Sequence, residues 1–188
     1  MQRYFAALTI VLMLGMVLAR ALVMRRAGVQ ALKFGAIDKR DFLIPPFAFF
    51  YFYLVFAAAF GWPSVSTRTF FESDPVAWAG VALCAAGLAV LLWSLISFGR
   101  SFRVGIDADH PDKLITTGIF AFSRNPIYVG FASIVLGQFL VFPNWVLLVY
   151  AGAAIGLFHR QVLLEEQFLR HHYGQEYLAY CGRVRRYL

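Results

Sequence analysis

Apolar residues fall in five runs along the chain, separated by short polar or charged segments. A helix crosses the hydrocarbon core of a bilayer in about 20 residues. The first three runs have that length: about Tyr4 to Val23, Phe42 to Trp62, and Val76 to Phe98. The last two, Pro126 to Phe142 and Asn144 to His159, are shorter and joined only by Pro143 and its neighbours, which predicts a tight helical hairpin. Pro45 and Pro46 suit the first turn of the second helix, where a missing N–H is tolerated. Arg20, near the end of the first, can snorkel to the interface. Gly152 and Gly156 offer the fifth run a face for close helix packing. Beyond Arg160 the pattern changes. Leu163, Leu164, Phe168 and Leu169 recur at helical spacing among Glu165, Glu166, Arg170 and His171, which predicts a separate amphipathic helix to about Tyr180, interrupted at Gly174. The expected fold is all-α: a multi-pass transmembrane helical bundle of about five spans with a cytoplasmic C-terminal helix. It forms one integral-membrane domain over 1–188, with three spans in 1–98 and a loop, hairpin and tail helix in 99–188.

Composition supports the membrane reading. Of 188 residues, 61% are hydrophobic and 14% charged, 20 are Phe, and the mean hydropathy is +0.67; a soluble domain carries about 25% charged residues. The net charge of +7 would raise nucleic acid as a partner in a soluble protein. Here 15 of the 17 Lys and Arg fall on one side of a five-span arrangement, all but Arg3 and Arg68, so the positive-inside rule accounts for them. That rule puts the N-terminus outside and the C-terminus in the cytoplasm, in the bacterial inner membrane or an equivalent one. No basic motif points to nucleic acid. The first span lacks a small-residue cleavage site and reads as retained. Cys84 and Cys181 lie far apart in the pattern, so neither a disulfide nor a metal is expected from them.

Candidate chemistry gathers in the connection Gly99–Tyr128. It carries Asp107, Asp109, His110, Asp112 and Lys113, then Leu114 to Phe120, then Ser123 to Tyr128. Asn125 followed by Pro126 has the form of a helix N-cap and first residue, a place whose free N–H groups suit a carboxylate or phosphate. Glu165 and Glu166 project about 100° apart on a helix. They are a poor acid–base pair, but one carboxylate could face a pocket and hold a cation. His110, His159, His171 and His172 form no metal-binding pattern, and no nucleophile elbow, GxGxxG or P-loop is present.

The stretch Lys113 to Gly130, KLITTGIFAFSRNPIYVG, resembles the signature LVTxGxYxxxRHPxYxG of the integral-membrane methyltransferases related to isoprenylcysteine carboxyl methyltransferase and the phospholipid methyltransferases. Glu165-Glu166, then Tyr173 to Tyr177, Tyr180 and Val184, resemble the second half of the pattern. The resemblance covers about Phe98 to the C-terminus. It implies an S-adenosyl-L-methionine-dependent methyltransferase acting on a lipid or lipid-anchored acceptor that enters from the bilayer. It further implies cofactor contacts at Leu114, Ile115, Phe120 (Tyr in most members), Asn125 (usually His), Pro126, Ile127, Tyr128 and Glu165. In the carboxyl methyltransferases an Arg stands four residues before the glutamate; here Gln161 does, with Arg160 just before it, and these two are the substrate-binding candidates. The sulfonium of such a cofactor suits a glutamate and the aromatics Phe120, Tyr128 and Tyr177. Methyl transfer to a carboxylate or thiolate needs alignment rather than a base. An amine acceptor would call on Glu165, Glu166 or His159. Two other classes stay open: a sterol-reductase-like membrane oxidoreductase using NADPH, and a non-catalytic membrane assembly protein.

Overall fold

The computed structural model describes residues 1–26, 44–63, 68–98 and 114–188, and every regular element among them is helical. The order is α1 (Gln2–Arg26), α2 (Ile44–Phe60), α3 (Asp74–Ser97), a 3-10 turn (Gly118–Ala121), α4 (Pro126–Val141), α5 (Trp145–Tyr173) and α6 (Gln175–Cys181). The five expected runs therefore all form helices, the first four within a few residues of their hydropathy boundaries and the fifth running well past its expected end. By length and composition α1, α3 and α5 are long and apolar enough to cross a membrane, and the chain is an integral membrane protein on that evidence. The shorter α2 and α4 have 17 and 16 residues. Of the residues counted or singled out above, Asp107, Asp109, His110, Asp112 and Lys113, together with Lys33, Lys39, Arg40, Arg100 and Arg103 of the charge count, lie outside the described residues.

The bundle is tightest where α3 meets α4, and glycine is the reason. Gly80 faces Gly137, and Gly87 faces Gly130, two turns further along each antiparallel helix. A Cβ on Gly137 would stand 2.6 Å from the Gly80 carbonyl oxygen, and one on Gly87 would stand 2.7 Å from the Gly130 carbonyl oxygen. Only backbones without side chains approach this closely. In a bilayer, where burying an apolar side chain gains little against lipid, such contact supplies much of the attraction between helices. Between the glycine pairs, the Cys84 thiol donates to the Ile134 carbonyl at 3.6 Å.

The expected glycine face on the fifth run is not used in this way. Among the described residues nothing lies within 4 Å of a Cβ at Gly152 or Gly156. Both glycines are exposed, and α4 packs far more extensively on α3 than on α5. Polar groups tie the other helices in. Gln138 of α4, fully buried, donates to the Ala6 carbonyl of α1 at 2.8 Å. Tyr150 of α5 donates to the Phe47 carbonyl of α2 at 2.7 Å, and the two rings stack with centroids 4.3 Å apart.

The fifth span and the tail helix, expected as two elements, form one helix of 29 residues, about 44 Å long. Asn144 caps its start by accepting from the Leu147 N–H at 3.0 Å. Nothing in Phe158 to Gln161 breaks a helix, so the change from apolar to charged composition passes without a change of backbone. The break comes at Gly174, whose φ of 51° lies in the left-handed region where a side chain would be strained, and α6 begins there.

We expect Gly137→Val to push α3 and α4 apart and cost about 1–3 kcal/mol. Gly156→Ala should stay within about 0.5 kcal/mol of the wild type. Thermal unfolding of both variants in detergent micelles measures the difference.

Candidate active site

The two ends of the bundle differ in charge. At one end Gln2 donates to Asp74 at 3.1 Å, the Phe70 N–H donates to the Pro143 carbonyl at 2.7 Å, and Arg3 and Glu72 border a shallow cleft. None of the motif residues is there. The other end gathers the C-terminal parts of α1 and α3 and the start of α4, where Ala21, Met24, Leu91 and Leu95 pack with Phe98, Ile127 and Phe131. Arg25, Arg26 and Arg124 lie at this basic end, and the polar half of α5 extends beyond it.

Here the two adjacent glutamates of α5 take up different work, as their divergence around the helix requires. Glu165 accepts from Tyr128 of α4 at 2.5 Å and from Gln161, one turn back, at 3.2 Å. Both donors are neutral. Phe158 lies 6.0 Å from Tyr128 and 5.9 Å from Phe131, between ring centroids, so an aromatic wall borders the pair. Three of the residues singled out by sequence, Tyr128, Gln161 and Glu165, thus meet across the α4–α5 junction, while Ile127 packs toward α1 and α3. Arg160 is exposed beside them.

Glu166 is buried and faces the other way. Its Oε1 accepts from Arg124 Nε at 3.0 Å and Asn125 Nδ2 at 3.1 Å, and its Oε2 accepts from Arg186 Nε at 3.1 Å. Guanidinium NH2 groups of Arg124 and Arg186 stand 3.0 Å from the two oxygens. The carboxylate in turn raises the pKa of Arg186 above its ordinary value. Arg124 also donates to the carbonyls of Cys181 at 3.3 Å and Val184 at 3.1 Å, and its backbone N–H donates to the Arg185 carbonyl at 3.0 Å. Asn125 Nδ2 donates to the Arg186 carbonyl at 3.1 Å. The segment after α6 is thereby fastened along the loop that starts α4. Tyr187 extends the contact to His159 of α5 at 2.7 Å.

The helix start at Asn125–Pro126 is where the sequence puts it, but Asn125 does not cap it with its side chain. That amide is spent on Glu166 and the Arg186 carbonyl, and both Asn125 and Pro126 are buried. Phe120 is buried in the 3-10 turn, edge-on to Phe98 at 4.6 Å, and its carbonyl accepts from Tyr180 at 2.6 Å. Burial pushes the Tyr180 phenol up to about 12, so it remains a donor at neutral pH. Leu114 and Ile115, half-buried, lead into this turn. Tyr177 is buried against Tyr180, with ring centroids 6.0 Å apart, rather than set beside Tyr128. Sequence reasoning missed Arg124, Glu166 and Arg186 as one unit. The signal available was an acidic pair flanked in the chain by arginines on both sides.

A helical membrane protein with a paired-carboxylate junction at its basic end is the class that fold and site define. A family model described as phospholipid methyltransferase matches residues 76–176, more than half of the chain, and so takes in α3, α4 and the α5 glutamates. The chain belongs to that family. It is 27% identical over 108 residues to protein-S-isoprenylcysteine O-methyltransferase B of Arabidopsis thaliana, covering 56% of this chain and 55% of the relative. It is 29% identical over 140 residues to the rat (Rattus norvegicus) protein-S-isoprenylcysteine O-methyltransferase, covering 68% and 48%. It is 30% identical over 112 residues to a probable rice (Oryza sativa subsp. japonica) protein of the same description, covering 58% and 59%. The chain spans about half the length of the curated relatives it matches. No solved structure matches.

Tyr180→Phe strands the buried Phe120 carbonyl and should cost about 1–3 kcal/mol. Chemical denaturation in mixed micelles, with wild type and Tyr180→Phe side by side, checks it.

Proposed function

We propose that the protein is an S-adenosyl-L-methionine-dependent methyltransferase acting on a lipid or lipid-anchored acceptor, with an isoprenylcysteine-like carboxylate as the acceptor class. One observation carries the reading: Tyr128 and Glu165, far apart in sequence and both expected at the cofactor, are hydrogen-bonded to each other inside the family match. The residues fit the group. Among the described residues Glu165 accepts from neutral donors, so no cationic partner there competes for its carboxylate, and Tyr128 and Phe158 offer ring faces to a bound sulfonium. When bound, the cofactor supplies an electrophilic methyl group. Leu114, Ile115, Phe120, Ile127, Tyr128 and Glu165 would hold it, with Asn125 and Pro126 shaping the helix start from beneath. Gln161 and Arg160 sit on the acceptor side. An ionised carboxylate asks for alignment and exclusion of water rather than a base. This agrees with Glu166, whose lone pairs are taken by two guanidinium groups.

The same reading takes α2 and α4 as spans, giving five in all, with α4 crossing antiparallel to α3. Of the described Lys and Arg, only Arg3 and Arg68 lie at the end opposite the site, which supports an outside N-terminus and a cytoplasmic site and C-terminus, as in the bacterial inner membrane or an equivalent. The chain then works as one integral-membrane domain, 1–98 supplying three spans and 99–188 the cofactor loop, hairpin and tail.

Titration calorimetry on detergent-purified protein should show binding of S-adenosylhomocysteine and none of NADPH. Binding of NADPH alone would overturn the reading. Glu165→Ala and Tyr128→Ala should each weaken S-adenosylhomocysteine by about 10- to 100-fold while the helix content holds. With labelled methyl donor, a farnesylated cysteine should gain a base-labile methyl ester; label on phosphatidylethanolamine instead would move the acceptor class to amines.

A further inference from the structure

The first turn of α4 and the polar half of α5 are fastened in two places by two neighbouring carboxylates. Glu165 holds Tyr128; Glu166 holds Arg124 and Asn125, four and three residues earlier. The second fastening includes the chain after α6. Arg186 completes the carboxylate, and the carbonyls of Cys181, Val184, Arg185 and Arg186 each accept a hydrogen bond from Arg124 or Asn125.

We infer that Glu166 is a positioning residue: by clamping Arg124 and Arg186 it seats residues 182–187 as a strap over the loop before α4, and so sets the distance between Tyr128 and Glu165. The inference rests on the proposed cofactor role of that pair. Three features support it. Glu166 is buried at 2% exposure while each of its oxygens receives a guanidinium. Arg186 keeps a third of its side chain exposed, so it closes the clamp from outside rather than forming part of the helix core. Tyr187, the next residue, reaches His159 on the α5 turn before Gln161, so the strap touches α5 on both sides of Glu165. A lateral shift of α4 against α5 must break bonds to the strap before it can separate Tyr128 from Glu165. A small misplacement of a binding pair is costly to function even where the fold survives.

The test uses the full chain in lipid nanodiscs, with S-adenosylhomocysteine as probe. Its affinity is measured by calorimetry for wild type, Arg186→Ala, Arg186→Lys, Glu166→Gln and the Glu166→Gln/Arg186→Ala double variant, and helix content and melting are followed by circular dichroism. We expect Arg186→Ala and Glu166→Gln to bind about tenfold or more weakly with wild-type helix content. Arg186→Lys, which keeps the charge but not the fork, should fall between. The double variant should bind no more weakly than Glu166→Gln, because the two residues act through one clamp. Wild-type affinity in Arg186→Ala and Glu166→Gln overturns the strap. So does a loss confined to variants that have also lost helix content, since the network would then hold the fold and not the site. Wild-type protein that fails to bind removes the cofactor reading itself, a different result from a wild type that binds and variants that match it.

Discussion

The close approach of α3 and α4 is the constraint on which the rest depends. Two pairs of facing glycines, Gly80 with Gly137 and Gly87 with Gly130, bring backbone against backbone. In lipid the usual drive to bury apolar side chains is weak between helices, so contact distance matters more than hydrophobicity. Once α4 lies in that groove its rotation is settled. Gln138 then meets the Ala6 carbonyl on α1, and Tyr128 on the first turn is turned toward α5. The same contact sets the depth of the α4 start, which places Arg124 and Asn125 level with Glu166.

Charge is organised by a second constraint. A carboxylate taken out of water is tolerated only with partners that replace its hydration. Glu166 has three such donors and is buried; its charge is spent on structure. Glu165, one residue away and about 100° around the helix, is met among the described residues by a phenol and an amide. The difference gives neighbouring identical residues different surroundings, one tied to the chain by two guanidinium groups and the other met by neutral donors. Arg124 contributes on both counts, since the same guanidinium that pairs with Glu166 also donates to the carbonyls of Cys181 and Val184.

The sequence by itself determined where the helices run. Hydropathy is a property of each residue, read along one dimension, and the boundaries at Tyr4, Phe42, Val76, Pro126 and Asn144 needed no knowledge of neighbours. It also showed that Glu165 and Glu166 must diverge, because helix geometry is local. It could not say which glycines pack. A pair such as Gly152 and Gly156 marks a notch in a helix but not whether another helix lies in it, and among the described residues none does. Nor could it show that the fifth run and the tail helix are continuous, since a change in polarity is no break unless the backbone has a reason to turn. The residues of the clamp, Arg124, Glu166 and Arg186, lie up to 62 positions apart. Only the folded chain brings them together, because a pairing between side chains is decided by the packing of the helices that carry them and not by their spacing in the chain.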